Sequence, residues 1–256
     1  MTSLDPLSLF RLDGKVAVIT GASSGLGARF ARVLHAVGAQ VVLAARRADR
    51  LESLATELDG ALVVPADLSL AEDRQRLVTT SVDTLGRLDV LVNNAGIGSK
   101  VAIEDEELDS FRATMELNVT ALWELCKLAR TALIADGGGS IVNVASMLGH
   151  VGATPVKQAS YCASKGAVVN LTRELALQFA RRNVRVNALC PGWFPSEMTA
   201  GMESDEGAQR FVQTNTPIPR MGEEHELDGA LLLLATPAGT FLTGQSIIVD
   251  GGWTAR

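Results

Sequence analysis

The stretch Val16-Ala17-Val18-Ile19-Thr20-Gly21-Ala22-Ser23-Ser24-Gly25-Leu26-Gly27 decides how this chain folds. Its first five residues are a short apolar run, which reads as a buried strand, and a helical stretch from Ala28 to Val37 follows the last glycine. Strand, glycine turn and helix in that order bring backbone N-H groups and the positive end of a helix toward a pyrophosphate. Glycine has no Cβ to block the approach and tolerates positive φ. Gly21, Gly25 and Gly27 are therefore the candidate phosphate loop, with Leu26 inside it and the hydroxyls of Ser23 and Ser24 as further donors. Three glycines alone would fit an ordinary turn equally well; the flanking strand and helix favour the nucleotide site.

Working outward, similar apolar runs recur at Gln40 to Ala45, Ala61 to Ala66, Asp89 to Asn93, Ile141 to Ser146, Val184 to Cys190 and Ser246 to Asp250. Helix-length stretches separate most of them. In one, Leu108, Phe111, Met115, Val119, Leu122, Cys126, Ala129 and Leu133 recur at steps of three and four, which predicts one long amphipathic helix. Alternating strands and helices predict an α/β, Rossmann-type doubly wound parallel sheet of about seven strands with helices on both faces. No linker or repeat divides the chain, so a single domain over 1–256 is expected, with an N-terminal extension over 1–11. The longest stretch that fits no element runs from Phe194 to Pro219, and the loop 193–219 is expected to bind substrate or act as a lid.

Bulk properties narrow the function. A net charge of -6 disfavours a surface that tracks nucleic acid or anionic lipid. No apolar run is long enough to span a bilayer, and Asp5 and Pro6 stand where a signal peptide would be apolar, so a cytoplasmic protein is expected. Cys126, Cys162 and Cys190 are widely spaced with no histidine nearby to complete a metal set, so they read as reduced packing thiols and no metal is expected.

The end of the second strand should select the cofactor. An acid there would bond the ribose 2′-hydroxyl of NAD, but Val41-Val42-Leu43-Ala44-Ala45 runs instead into Arg46-Arg47-Ala48-Asp49-Arg50. A guanidinium can clamp a 2′-phosphate bidentately, which points to Arg46 and to NADP(H), with NAD(H) as the alternative. Arg47 and Arg50 fit the plainer role of a solvated helix start.

Tyr161 and Lys165 stand four apart where a helical stretch to Arg182 begins, so their side chains share one face. A phenol with a pKa of about 10 is a poor proton shuttle at neutral pH, and a nearby ammonium is expected to lower that value. Such a pair is by itself weak evidence, since surface helices place tyrosine and lysine together often enough.

The ordered set Thr20-Gly21-x-x-x-Gly25-x-Gly27, Asn93-Asn94-Ala95-Gly96, Ser146, Tyr161-x-x-x-Lys165 and Pro191-Gly192 resembles the short-chain dehydrogenase/reductase family over nearly the whole chain. The resemblance implies that Tyr161 exchanges the proton at the substrate oxygen and that Ser146, as the last residue of a strand, orients that oxygen. It implies that Lys165 holds the nicotinamide ribose and lowers the Tyr161 pKa, and that Asn118 anchors a water in the proton relay. By the same matching, Asp67 would bond the adenine amino group with Leu68 beside it. Asn94, Ala95 and Gly96 would line the adenine ribose side and brace the sheet, Pro191 and Gly192 would lie beneath the nicotinamide, and Phe194 and Ser196 would contact its carboxamide.

Two departures stand out. Ser196 replaces the commoner threonine. Ser146 and Tyr161 are about two residues further apart than is usual, the extra residues lying near Thr154 to Gln158 in a loop that also holds His150, read as a solvated side chain. The activity implied is hydride transfer between NADP(H) and a ketone or secondary alcohol, as a carbonyl reductase or alcohol dehydrogenase; a 3-ketoacyl-thioester reductase would use the same mechanism. A cofactor sensor would have no use for Asn118, Ser146, Tyr161 and Lys165 together, and a lyase on the same fold would be expected to lose the glycines. The partners expected are a small carbonyl or alcohol substrate and three further copies of the chain. Glu107 to Leu133 and Ser160 to Arg182 resemble one tetramer interface of the family, and Thr243 to Gly252 the other.

Overall fold

The computed structural model describes residues 5–135, 137–202 and 204–255; residues 1–4 of the extension and Glu203 of the substrate loop lie outside them. The strands are β1 (Val16–Thr20), β2 (Gln40–Ala45), β3 (Leu62–Pro65), β4 (Val90–Asn93), β5 (Gly139–Val144), β6 (Val184–Pro191) and β7 (Ser246–Val249). They form one parallel sheet in the order β3-β2-β1-β4-β5-β6-β7. The helices are α1 (Gly25–Ala36), α2 (Ala48–Ala55), α3 (Ala71–Leu85), α4 (Leu108–Met115), α5 (Ala121–Ala135), α6 (Ala159–Phe179), α7 (Glu206–Asn215) and α8 (Asp228–Ala235).

The central strands are mostly apolar because both of their faces are covered, and their buried polar side chains, such as Asn93 and Asn143, bond one another. Val16 and Val18 pack into a core with Leu77 of α3, Leu125 and Leu133 of α5 and Val168 of α6. Ala17 and Ile19 point the other way, into a core with Phe30 and Leu34 of α1, Leu51 of α2 and Leu231 of α8. This is the doubly wound α/β architecture that the alternation of elements predicts. Strand order reverses between β1 and β4, and at that switch the carboxyl ends of the strands open a crevice.

Four local expectations are corrected. The long helix is not continuous: α4 and α5 are separated by a π-turn over Glu116–Thr120, which carries Asn118. A π-turn inserts one residue, and steps of three and four absorb it without exposing the apolar face. β5 ends at Val144, so Ser146 lies beyond the strand, where its hydroxyl caps the short 3-10 turn Met147–Gly149 by accepting from Leu148 N at 3.1 Å. The segment from Phe194 to Pro219 is not without elements. It holds a 3-10 turn at Glu197–Thr199 and α7, which Asp205 caps by accepting from Ala208 N at 2.7 Å. Finally, α1 begins at Gly25 rather than at Ala28, so the glycine turn is itself the first turn of the helix.

Candidate active site

A cavity of about 530 Å³ opens at the switch between β1 and β4. Its floor is built by glycine. Gly21 has φ +68°, and a Cβ at Gly27 would sit 2.2 Å from the Gly21 carbonyl oxygen, so only glycine lets α1 start this close to the turn. Ser23, Ser24, Gly25 and Leu26 line the same floor. Thr20 Oγ1 accepts from Asn94 N at 2.9 Å and Ala95 N at 3.0 Å, while Asn94 Nδ2 donates to Thr20 O at 3.0 Å. That strap ties the turn after β4 to β1, and Asn94, Ala95 and Gly96 line the cavity above it.

At the far wall stand Arg46, Asp67 and Leu68. Hydrogen bonds from the Ser69 hydroxyl and backbone, at 2.7 and 3.0 Å, hold the Asp67 carboxyl below the usual aspartate range. Arg46 is exposed and makes no ion pair among the described residues. Arg47 is different from the solvated residue expected. Its Nη2 donates to Ser23 Oγ and Ser24 Oγ, each at 2.9 Å, and its guanidinium pairs with Glu197 at 2.7 Å. Arg50 reaches the same carboxylate at 3.1 Å. Glu197 and Met198 also line the cavity, beside Ser196. Nothing in the sequence points to the Arg47–Glu197 contact, because its partners are 150 positions apart.

The reacting residues gather beside this cavity. Tyr161 and Lys165 rise from one face of the first turns of α6, with Lys165 Nζ 5.6 Å from the Tyr161 ring centroid. Lys165 is buried and donates to Val144 O, the last residue of β5, at 2.8 Å. Asn118, 1% exposed, accepts from Ile97 N through Oδ1 and donates through Nδ2 to Ile97 O and Ser164 Oγ. Ser164 Oγ in turn donates to Tyr161 O at 2.8 Å. A Cβ on Gly96 would lie 3.1 Å from Asn118 Oδ1 and 3.6 Å from Lys165 Nζ, so the cavity's edge and the reacting cluster meet at that glycine.

The electrostatics reverse one expectation. Lys165 was expected to pull the Tyr161 pKa below about 10. Instead burial pushes the phenol up to about 12, against a lowering hydrogen bond from Ser146. Burial also brings the Lys165 ammonium down to about 8. Desolvation therefore outweighs the charge here, because the same apolar surroundings cover both groups and leave less cation for the phenolate to gain from.

Those surroundings are Met147 and Leu148 from the turn after β5, Val151 and Ala153 from the loop beyond it, Cys162, and the rings of Trp193, Phe211 and Trp253. Pro191 ends β6, and Gly192 lies so close to Asp250 Cα that a Cβ would stand at 2.6 Å. Phe194 is buried against Gly222 and lines a separate cavity of about 100 Å³ with Trp193. Of the residues singled out for the nicotinamide end, the large cavity is lined by Ser196 and not by Pro191, Gly192 or Phe194. Among the described residues no cluster of histidine, cysteine and carboxylates could hold a metal, and no helix is long and apolar enough to cross a membrane.

A family model described as enoyl-(acyl carrier protein) reductase matches residues 21–254. A galactitol 2-dehydrogenase (L-tagatose-forming) of Cereibacter sphaeroides is 38% identical, over 98% of this chain and 99% of its own. A short-chain type dehydrogenase/reductase from Mycobacterium marinum superposes with a TM-score of 0.94 at 36% identity, covering 98% of this chain and all of the other. The chain belongs to the short-chain dehydrogenase/reductase family. It is an oxidoreductase of the class that acts on CH-OH and C=O groups. A gluconate 5-dehydrogenase from Burkholderia cenocepacia, solved in complex with NADP and tartrate, is similar at a TM-score of 0.92 and 32% identity over 98% of this chain and all of its own.

Against the family pattern, the extra residues near Thr154 to Gln158 sit in the loop before α6, where Lys157 pairs with Glu104 at 3.1 Å. That loop delivers Val151 and Ala153 to the cluster against which Tyr161 packs, and Tyr161 and Lys165 keep their spacing on α6. His150 Nε2 lies 3.6 Å from Cys190 Sγ, and burial together with Arg173 lowers its pKa.

Proposed function

We propose that the chain is an NADP(H)-dependent oxidoreductase that interconverts a ketone and a secondary alcohol, with Tyr161 as the proton donor and acceptor at the substrate oxygen. The observation that carries this reading is the meeting of Asn118 and Lys165 with the edge of the 530 Å³ cavity at Gly96, with the Tyr161 ring 5.6 Å from Lys165 Nζ and against Gly98, two residues on. The cavity fits a dinucleotide: glycines and the N-terminus of α1 for the pyrophosphate, Asp67 for the adenine, Arg46 for a 2′-phosphate. A bound nicotinamide supplies or takes up the hydride.

In the reducing direction Tyr161 must begin as the neutral phenol, and its raised pKa keeps it so at neutral pH. Its O-H donates to the carbonyl oxygen and gives up the proton as the alcohol forms. Ser146 hydrogen-bonds the Tyr161 side chain and is placed to donate to the same oxygen. Lys165 offsets the phenolate left behind, and Asn118, locked by Ile97 and Ser164, fixes the wall through which the proton is replaced. Pro191, Gly192, Phe194 and Ser196 remain the residues proposed for the nicotinamide end, with Leu68, Asn94, Ala95 and Gly96 on the adenosine side.

The proposed assembly is a homotetramer in the cytoplasm. α4 and α5 expose Leu108, Phe111 and Trp123 on what would be one interface, and Phe241 and Ile248 of β7 stand out on the other. The test of the chemistry is Tyr161→Phe. Turnover followed by NADPH absorbance should fall by on the order of 10³, while NADPH affinity by calorimetry stays within about threefold. Retained turnover removes Tyr161 from the role.

A further inference from the structure

Sugar derivatives are the substrates named for several relatives, and they need a hydrogen-bonding partner for each hydroxyl and a cation for any carboxylate. Among the described residues, the side chains packed around Tyr161 are mostly apolar. Met147 is 1% exposed, Leu148 5% and Trp253 7%, and Val151, Ala153, Cys162, Trp193 and Phe211 complete the cluster with Tyr161. These side chains come from separate stretches of the chain, the turn after β5, the loop before α6, the loop after β6, α7 and the C-terminal turn, so the apolar character is not the by-product of one amphipathic element. The rings of Trp193, Phe211 and Trp253 meet edge to face, with centroids 5.4 to 6.2 Å apart.

Polar groups are scarce, and the cations nearby are paired, buried or out at the surface. The buried side-chain polar atoms without a partner near this wall are Trp193 Nε1 and Thr216 Oγ1. Lys157 is paired with Glu104, Arg220 with Glu226, and Lys165 is hydrogen-bonded to Val144 O. Lys100 and Arg210 are exposed. Glu106 accepts a hydrogen bond from Ser160, the residue before Tyr161, so the charge held at the start of α6 is negative.

We propose that the substrate is an uncharged carbocyclic ketone or secondary alcohol, held with its ring against the partly exposed Trp193 and Phe211, which Trp253 backs, and its oxygen at Tyr161, and not a polyol or sugar acid. This rests on the hydride-transfer reading above. A carbocycle presents C-H edges to aromatic faces and one oxygen to Tyr161 and Ser146, and leaves no hydroxyl stranded. A polyol would strand most of its own, and a pocket unable to pair them rejects it strongly.

The test compares NADPH oxidation by the full chain with 2-decalone and 1-tetralone against 5-keto-D-gluconate and L-tagatose. The ring ketones should show kcat/KM at least about a hundredfold higher. Phe211→Leu and Trp193→Phe should each raise KM for 2-decalone about tenfold and leave NADPH affinity unchanged; the conservative replacements keep the fold, checked by circular dichroism. Equal or better turnover of either sugar derivative, abolished by Tyr161→Phe, overturns the substrate class and keeps the chemistry. Unaltered KM in both ring variants overturns the assignment of the aromatic wall. No turnover of any carbonyl by protein that binds NADPH overturns the substrate class and the hydride-transfer reading together.

Discussion

The two halves of the crevice are built on opposite principles. On the adenosine side the chain uses backbone and short polar side chains: Gly21 at positive φ, Gly27 against the Gly21 carbonyl, the Asn94 strap to β1, and Asp67 held ionised by Ser69. That side is open, rigid and already shaped. On the substrate side the chain uses bulk, with three aromatic rings and a methionine packed on the one tyrosine until the phenol is pushed up to about 12. The difference teaches that the phosphate loop is specified locally, whereas the rest of the proposed cofactor cavity, Glu197 included, and the proposed substrate side are specified by distant segments meeting. The first should tolerate change in the lid, and the second should respond to it.

The largest effect that would sharpen this contrast is in stability. Burial holds the Lys165 ammonium at about 8 against 10.5 in the unfolded chain. Between about pH 8 and 10.5 the unfolded chain therefore binds a proton that the folded protein does not, and stability rises with pH across that window by about 3 kcal/mol. Urea unfolding of the cofactor-free protein at pH 7.5 and pH 9.5 should show the rise, and Lys165→Met should flatten it. A wild-type curve as flat as the variant's would mean that the substrate side is wet.

Next comes the adenosine side. Arg46→Ala should weaken NADPH about ten- to a hundredfold, the range of a charge-assisted pair, and leave NADH within about twofold. Equal losses for both cofactors would show that the site is not modular and that Arg46 is not the selector. The smallest effect is expected where the turn after β6 closes on the phosphate loop. Arg47–Glu197 is an exposed ion pair, so Glu197→Gln should change stability by less than about 1 kcal/mol. A larger loss in thermal denaturation would show that the lid turn and the phosphate loop act as one unit.

The same division explains what the sequence could tell. β1 and β2 run over the very residues that their apolar runs mark, because a strand buried on both faces reads as a near-continuous apolar run. The glycine turn was legible for a similar local reason. The π-turn was not, since the spacing from Leu108 to Leu133 is satisfied with or without an inserted residue. α7 was hidden because its inward face amounts to little more than Phe211 and Val212, and Arg47 because its partner comes from the far end of β6. Tyr161 and Lys165 were paired by their i,i+4 spacing and Asn118 and Ser146 were named from a resemblance, while the approach of the two sets is a fact of tertiary packing. The sign of the Tyr161 shift was missed because i,i+4 spacing reveals the cation but not the rings that arrive from α7 and the C-terminal turn.

Tyr161 is the only tyrosine in the chain, so its ionisation can be read without a label. The direct test of a dry substrate side is a pH-jump of the cofactor-free protein, with phenolate absorbance recorded before unfolding and Tyr161→Phe subtracted as the tryptophan background. The account predicts no phenolate below about pH 10, the value of a free phenol, and half-ionisation near 12. Half-ionisation below pH 10 would contradict it, because the Lys165 charge would then outweigh burial.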